Sequence, residues 1–190
     1  MSGNPTLIRP HRFGDDRGWF AEVYNEGKFR SFGILDSFVQ DNHSLSVPTG
    51  TVRGLHFQAP PHAQAKLVRC IHGRIFDVAV DIRKGSETYG RWIGVELSAE
   101  NGLQLYIPAG YAHGFVTLET ASEVTYKVSD VYAPSCDNGI RWDDPTIGIS
   151  WPLPAGITPT LSRKDEEQPL LSDIDSPFAY DGKPMTLVEF

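Results

Sequence analysis

The chain has 190 residues, 17 basic against 24 acidic side chains, and a net charge of −7. That length predicts one domain, and singly scattered Lys and Arg in an acidic chain argue against a nucleic-acid polymer as partner. No apolar run approaches the ~20 residues of a membrane span, and "MSGNPTLIRP" lacks the apolar stretch of a secretory signal, so the expected place of action is the cytosol and no membrane partner is expected.

In chain order, "FGDDRGWFAEVYN" comes first, an acidic stretch that sets Arg17, Phe20 and Glu22 within six residues. Its ordinary reading is a hairpin with a buried Phe. "TVRGLHFQAP" has strand character and places Arg53 three residues before His56. "KLVRCIHGRIFDVAVDIRKGS" reads as two strands around a turn at His72-Gly73. From Arg74 onward it alternates, with Phe76, Val78, Val80 and Ile82 on one face and Asp77 and Asp81 on the other. "RWIGVELSAENGLQLYIPAGYAHGFVTLE" continues as strand, turn, strand, turn, strand, and "SEVTYKVSDVY" adds another. No segment between 39 and 132 has helical periodicity, and many short strands with regular turns predict a sandwich or barrel.

After Tyr132 the chain becomes rich in Pro and Gly and reads as ordered loops, with a short helix in "SRKDEEQPLL" capped by Ser162. The expected organisation is one all-β domain over 1–190. It has a barrel core at about 39–132, an N-terminal arm at 1–38 and a loop and helix tail at 133–190. Cys70 and Cys136 are too far apart for a zinc spacing and too few for a disulfide framework, and read as ordinary thiols.

"IPAGYAHGF" is a tight turn that delivers His113 onto the next strand. Proline fixes the way in and glycine permits positive φ. The stretch resembles the second motif of the cupins, which are small β-barrels of jelly-roll type. In metal-binding cupins an earlier His-x-His supplies further ligands. Here that stretch is "GLHFQ", with Gln58 in place of the second histidine and no Glu nearby, so no metal is expected.

Without a metal, His56 and His113 suit proton transfer near neutral pH. Asp77, opposite the apolar face of its strand, points toward the interior and could orient a histidine. Asp165 could do so too, although Ser162-x-x-Asp165 also resembles a helix capping box. Lys66 reads as a strand-end lysine or an oxyanion stabiliser, and Tyr126 as a strand aromatic or a phenolic proton donor. A base, an oxyanion stabiliser and an acid together are the kit for proton transfer beside a carbonyl.

The string "RGLHFQ…AQAKLVRCIHGRIFDVAVDIRKGSETYGRW…LSAEN…QLYIPAGYAHGFVTL…YKVSDVYAP" closely resembles the dTDP-4-dehydrorhamnose 3,5-epimerases. The resemblance runs from "FGDDRGWFAEVYN" to "LSRKDEEQPLL", and "DIDSPFAYDGKPMTLVEF" carries no family motif. It implies a cupin-like jelly-roll with short C-terminal helices, no cofactor, a homodimer and a dTDP-linked 4-keto-6-deoxy sugar as substrate. By the same resemblance His56 is the general base, Asp165 its dyad partner, Tyr126 the acid, and Asp77 a carboxylate close to the histidine. Arg53 grips the diphosphate, while Lys66 and His113 surround the sugar carbonyl and diphosphate. Tyr132 shapes the pocket, and Gln40 and Asn42 contact substrate. Arg17, Phe20 and Glu22 reach the thymidine end from the partner subunit.

The implied chemistry follows from acidity. The C4 ketone acidifies the hydrogens at C3 and C5. A base removes one, the enolate charge rests on O4, and an acid returns a proton on the other face. Three rival functions remain at the level of sequence: epimerisation at C3 or C5 alone, a non-catalytic cupin that binds nucleotide sugars, and a metal-dependent oxygenase.

Overall fold

The computed structural model describes residues 3–190. Its centre is β7 (Arg74–Asp81), a strand buried on both faces. Ile75 and Ala79 pack inward with Val68, Leu97, Leu105, Phe115 and Val124. Val78 and Val80 pack outward with Ile82, Leu55 and Ala112. The inward face also carries Asp77, so the predicted alternation is right in register. The outward apolar face is covered by the tail rather than by solvent, through Ile140, Ile147, Leu171, Ile174 and Phe178. The stretch expected to be loops therefore serves as a third layer.

Around β7 lie β5 (Val52–Gln58), β8 (Trp92–Ser98), β10 (Tyr111–Thr117) and β12 (Asp137–Gly139). They form a five-stranded sheet in the order β12-β5-β10-β7-β8. Facing it is a six-stranded sheet in the order β13-β1-β9-β6-β11-β4. Its members are β1 (Thr6–Ile8), β4 (Gln40–Ser46), β6 (Lys66–His72), β9 (Gln104–Ile107), β11 (Ser122–Val128) and β13 (Val188–Glu189). Two mostly antiparallel sheets joined by such crossovers form the cupin-like jelly-roll. The last residues, which carry no family motif, still matter to the fold. β13 pairs with β1, and Met185 is buried in the inner core.

A hairpin of β2 (Arg12–Asp15) and β3 (Gly18–Ala21) stands outside both sheets. The hairpin was expected, but its aromatic is not buried: Phe20 is 71% exposed, and Phe13 and Trp19 are exposed beside it. Helix α1 (Glu26–Ser31), capped by Asn25 through its side chain, was not visible in the sequence. One and a half turns are too short to display a period. Helix α2 (Arg163–Glu166) starts at Ser162 as expected. Cys70 and Cys136 are buried and unbridged, and burial pushes the Cys70 thiol up to about 11.

Gly54 sits on β5 tight against the backbone of β10. Its φ is +108°, and a Cβ there would lie 2.5 Å from the His113 carbonyl oxygen. No side chain fits that space, and L-residues rarely adopt that conformation. Gly54→Ala is expected to destabilise the protein by at least about 1–3 kcal/mol, read as a lower urea midpoint. An unchanged midpoint would show that β5 can move away from β10.

Candidate active site

Between the two sheets lies a cavity of about 540 Å³. From the five-stranded sheet, β5 contributes Arg53 and His56 and β10 contributes His113. His113 and His56 are direct register partners, and the ladder shifts between His113 and Phe115. Such irregularities re-aim side chains. From the six-stranded sheet come Ser46 on β4, Lys66 on β6 and Tyr126 on β11. Ser162, Lys164 and Asp165 form a third wall.

The two histidines hold separate carboxylates. His56 Nε2 lies 2.5 Å from Asp165 Oδ1, and His113 Nε2 lies 2.7 Å from Asp77 Oδ1. Asp77 is thus close to the histidines, as expected, but pairs with His113 and not with His56. Asp165 combines both of its possible roles. Its backbone N–H is capped by the Ser162 hydroxyl at 3.2 Å, and that hydroxyl donates to Asp165 Oδ2 at 2.7 Å. Oδ1 is then left to hold the imidazole. Burial works to raise the Asp165 pKa, but the hydrogen bonds from His56 and Ser162 outweigh it and hold the carboxyl below its ordinary value. With Nε2 donating to Asp165, the proton-accepting nitrogen of neutral His56 is Nδ1.

Three further groups are shifted by their surroundings. Burial pulls the His113 pKa down against the opposing field of Asp77, so this ring is neutral at pH 7. Burial also pushes the Lys66 ammonium down to about 8, partly offset by Asp77 and Asp137. Lys66 is therefore no plain strand-end lysine. Its Nζ crosses from the six-stranded sheet and donates to the His56 backbone carbonyl on the other sheet at 3.3 Å. Tyr126 is raised by burial, with Arg53 acting the other way. It is a phenol across the neutral range and so can donate a proton. Arg53 donates to the Ser46 hydroxyl at 3.0 Å and the Leu45 carbonyl at 3.1 Å. Among the described residues it has no carboxylate partner, so its charge remains for an anion.

A smaller adjoining cavity of about 170 Å³ is lined by Gln40, Asn42, Tyr132, Asp137 and Lys164, with His56, Lys66 and Tyr126 shared. Gln40 donates to Asn42 at 2.9 Å and accepts from the Tyr132 backbone at 3.1 Å. The Tyr132 hydroxyl donates to Asp137 Oδ2 at 2.9 Å, which also takes the Lys164 ammonium at 2.5 Å. Asp137 and Lys164 were missed as site residues. Lys164 stood beside Asp165 in "SRKD" and could have been singled out; Asp137 had no local signal. Gln58 donates to the carbonyls of His62 and Val131 and accepts from the Ala133 N–H, so its amide fastens loops. Arg17, Phe20 and Glu22 are not brought to this cavity within the chain. Arg17 pairs with Asp15 on the hairpin and Glu22 pairs with Lys28.

A jelly-roll whose cavity sets a histidine–carboxylate dyad against a tyrosine on the opposite sheet is a cupin-like epimerase in its class. Residues 3–173 match the family model described as dTDP-4-dehydrorhamnose 3,5-epimerase, and the chain belongs to this family. It is 55% identical to the dTDP-4-dehydrorhamnose 3,5-epimerase of Sinorhizobium fredii over 92% of this chain and 88% of that one. Against the enzyme of the same name from Salmonella typhimurium it is 53% identical over 87% and 89%. The solved dTDP-6-deoxy-D-glucose-3,5-epimerase of Legionella pneumophila, in complex with dTDP-4-keto-L-rhamnose, superposes with a TM-score of 0.84. It shares 45% identity over 89% of this chain and 88% of that chain.

Proposed function

We propose that this enzyme inverts C3 and C5 of dTDP-4-dehydro-6-deoxy-D-glucose to give dTDP-4-dehydro-L-rhamnose, in dTDP-L-rhamnose biosynthesis. The observation that carries this reading is the opposition of acid and base. His56, held by Asp165 of α2, projects from the five-stranded sheet, and Tyr126 projects from the six-stranded sheet into the same cavity. Epimerisation requires removal on one face and return on the other, and two facing sheets supply that geometry.

In this mechanism Nδ1 of His56 takes the hydrogen at the first carbon, and Asp165 stabilises the imidazolium that results. The enolate charge gathers on O4, where the Lys66 ammonium meets it; a preorganised donor of this kind contributes roughly 3–4 kcal/mol. Tyr126 then donates its proton to the opposite face. The same cycle at the second carbon completes the inversion. Arg53 and Lys164 supply donors for the diphosphate, neutral His113 lines the cavity with its Nε2–H given to Asp77, and Gln40, Asn42 and Tyr132 shape the adjoining space. The chemistry needs no redox group. The test is incubation with dTDP-4-keto-6-deoxyglucose and NMR of the sugar. Both centres inverted is the expected product; inversion of one centre alone would assign the enzyme to another deoxysugar, and unchanged substrate would leave a binding protein.

A pH dependence follows from Lys66. The ammonium form is required, and its pKa in the folded protein is about 8. The contribution of Lys66 to activity is therefore full below that value and is lost as pH rises through it. kcat/KM, which reports the free enzyme, is expected to fall tenfold per unit above about pH 8. In Lys66→Arg the limb for first-hydrogen exchange should move to higher pH, since guanidinium stays protonated. A limb unmoved in that variant would assign it to another group.

The homodimer also belongs to this reading. Phe13, Trp19 and Phe20 stand exposed on a two-stranded hairpin, an apolar surface that a second copy would cover, carrying Arg17, Phe20 and Glu22 to the nucleotide end of the partner's cavity. Among the described residues no helix is long and apolar enough to cross a membrane, and the cytosol, where nucleotide sugars are made, remains the proposed place of action.

A further inference from the structure

A two-centre epimerase faces a problem of protons. After the first inversion His56 holds the proton it removed, as imidazolium, and Tyr126 has given its own away, as phenolate. The second inversion needs neutral His56 and protonated Tyr126. While the half-inverted sugar stays bound, a proton passed from His56 on one sheet to Tyr126 on the other resets both groups.

We propose that Lys66 carries that proton, in addition to its electrostatic role; this rests on the two-centre reading above. Lys66 and Tyr126 lie on adjacent strands of one sheet, where Lys66 pairs with Val128 and Tyr126 pairs with Val68. Both side chains face inward beside the buried Val68 and Val128. As diagonal neighbours on one face, two long side chains of this kind lie within reach of one another. From there the Lys66 ammonium crosses to the opposite sheet and meets the backbone of His56 at 3.3 Å. Lys66 lines both cavities together with His56 and Tyr126. Lys164 lines both as well, but its ammonium is held by Asp137 at 2.5 Å.

The exchange balances without a co-reactant. An N–H of the Lys66 ammonium passes to the Tyr126 phenolate oxygen, leaving a phenol and a neutral amine. The amine lone pair then takes the proton from Nδ1 of the His56 imidazolium. Lysine ends as it began, and both partners are reset. Asp77 favours that return. Its Oδ1 holds His113, while its buried Oδ2 has no hydrogen-bond partner, and its charge acts on Lys66 from β7. The other charges acting on Lys66 are Asp137 from β12, which also favours the ammonium, and Lys164 from α2, which opposes it. Burial brings the amine to about 8, where it can both give and take a proton near neutral pH.

The experiment follows both carbons by NMR in deuterated water, with wild type alongside. Lys66→Arg keeps a cation near O4 but gives up no proton. It should invert the first carbon within about tenfold of wild type and accumulate the singly inverted sugar, with the second inversion slowed roughly 100-fold or more, as for loss of a general acid–base group. In Lys66→Ala, added methylamine should speed the second inversion more than the first. The inference is overturned if Lys66→Arg forms the doubly inverted product in the wild-type ratio. It is also overturned if both steps fall together in Lys66→Arg and methylamine lifts them equally in Lys66→Ala. A wild type that inverts fewer than two carbons overturns the function reading itself, so the two failures are told apart.

Discussion

Tyr126→Phe is expected to separate proton removal from epimerisation. The change removes one hydroxyl from a partly buried ring, so packing against the inner core is kept. His56, Asp165 and Lys66 are untouched, so the enolate still forms. The imidazolium can return a proton on the face from which it came. In deuterated water the recovered substrate should gain deuterium with retained configuration, while inverted product appears roughly 100- to 10,000-fold more slowly than with wild type. Deuterium NMR together with product analysis reads both rates. Near wild-type inversion by this variant would remove Tyr126 from the acid role and point to Tyr132, which borders the adjoining cavity.

His56→Ala should show the complementary loss. With the base gone no enolate forms, and both solvent exchange and inversion should fall by a similar factor of about 100 to 10,000. Binding of dTDP should be nearly normal, because Arg53 and Lys164 remain. Asp165→Asn should lower kcat with little change in KM, since the side chain keeps its shape but no longer stabilises the imidazolium. Exchange at the wild-type rate in His56→Ala would transfer the role of base to His113, which has its own carboxylate in Asp77.

The strands of the two sheets could be read locally because their turns are marked by Gly and Pro and their faces alternate. The inward aim of Asp77 followed from the same alternation, and the Ser162 cap from its spacing to Asp165. The partnership of His56 with Asp165 spans 109 residues, and no local pattern encodes it; the family resemblance supplied it. The pairing of Asp77 with His113 depends on how β10 aligns with β7, where Phe115 sits opposite Asp77. That is a property of the sheet and not of either strand. The tail does run as ordered loops with a short helix, but its packing role was not legible, because the apolar residues that cover the outward face of β5, β7 and β10 are spaced by Pro and Gly rather than periodically. Phe20 misled for a related reason. An apolar side chain in a hairpin is expected to be buried by its own chain, and this one is not.

The central claim is that the sugar ring lies between His56 on one sheet and Tyr126 on the other. It is tested most directly by a crystal structure of the enzyme with dTDP-L-rhamnose, which lacks the ketone and cannot enolise. The account predicts the His56 imidazole against one face of the pyranose, the Tyr126 hydroxyl against the other, Lys66 beside O4, and the diphosphate on Arg53. A ring with both side chains on the same face, or one bound outside the cavity between the sheets, would contradict it.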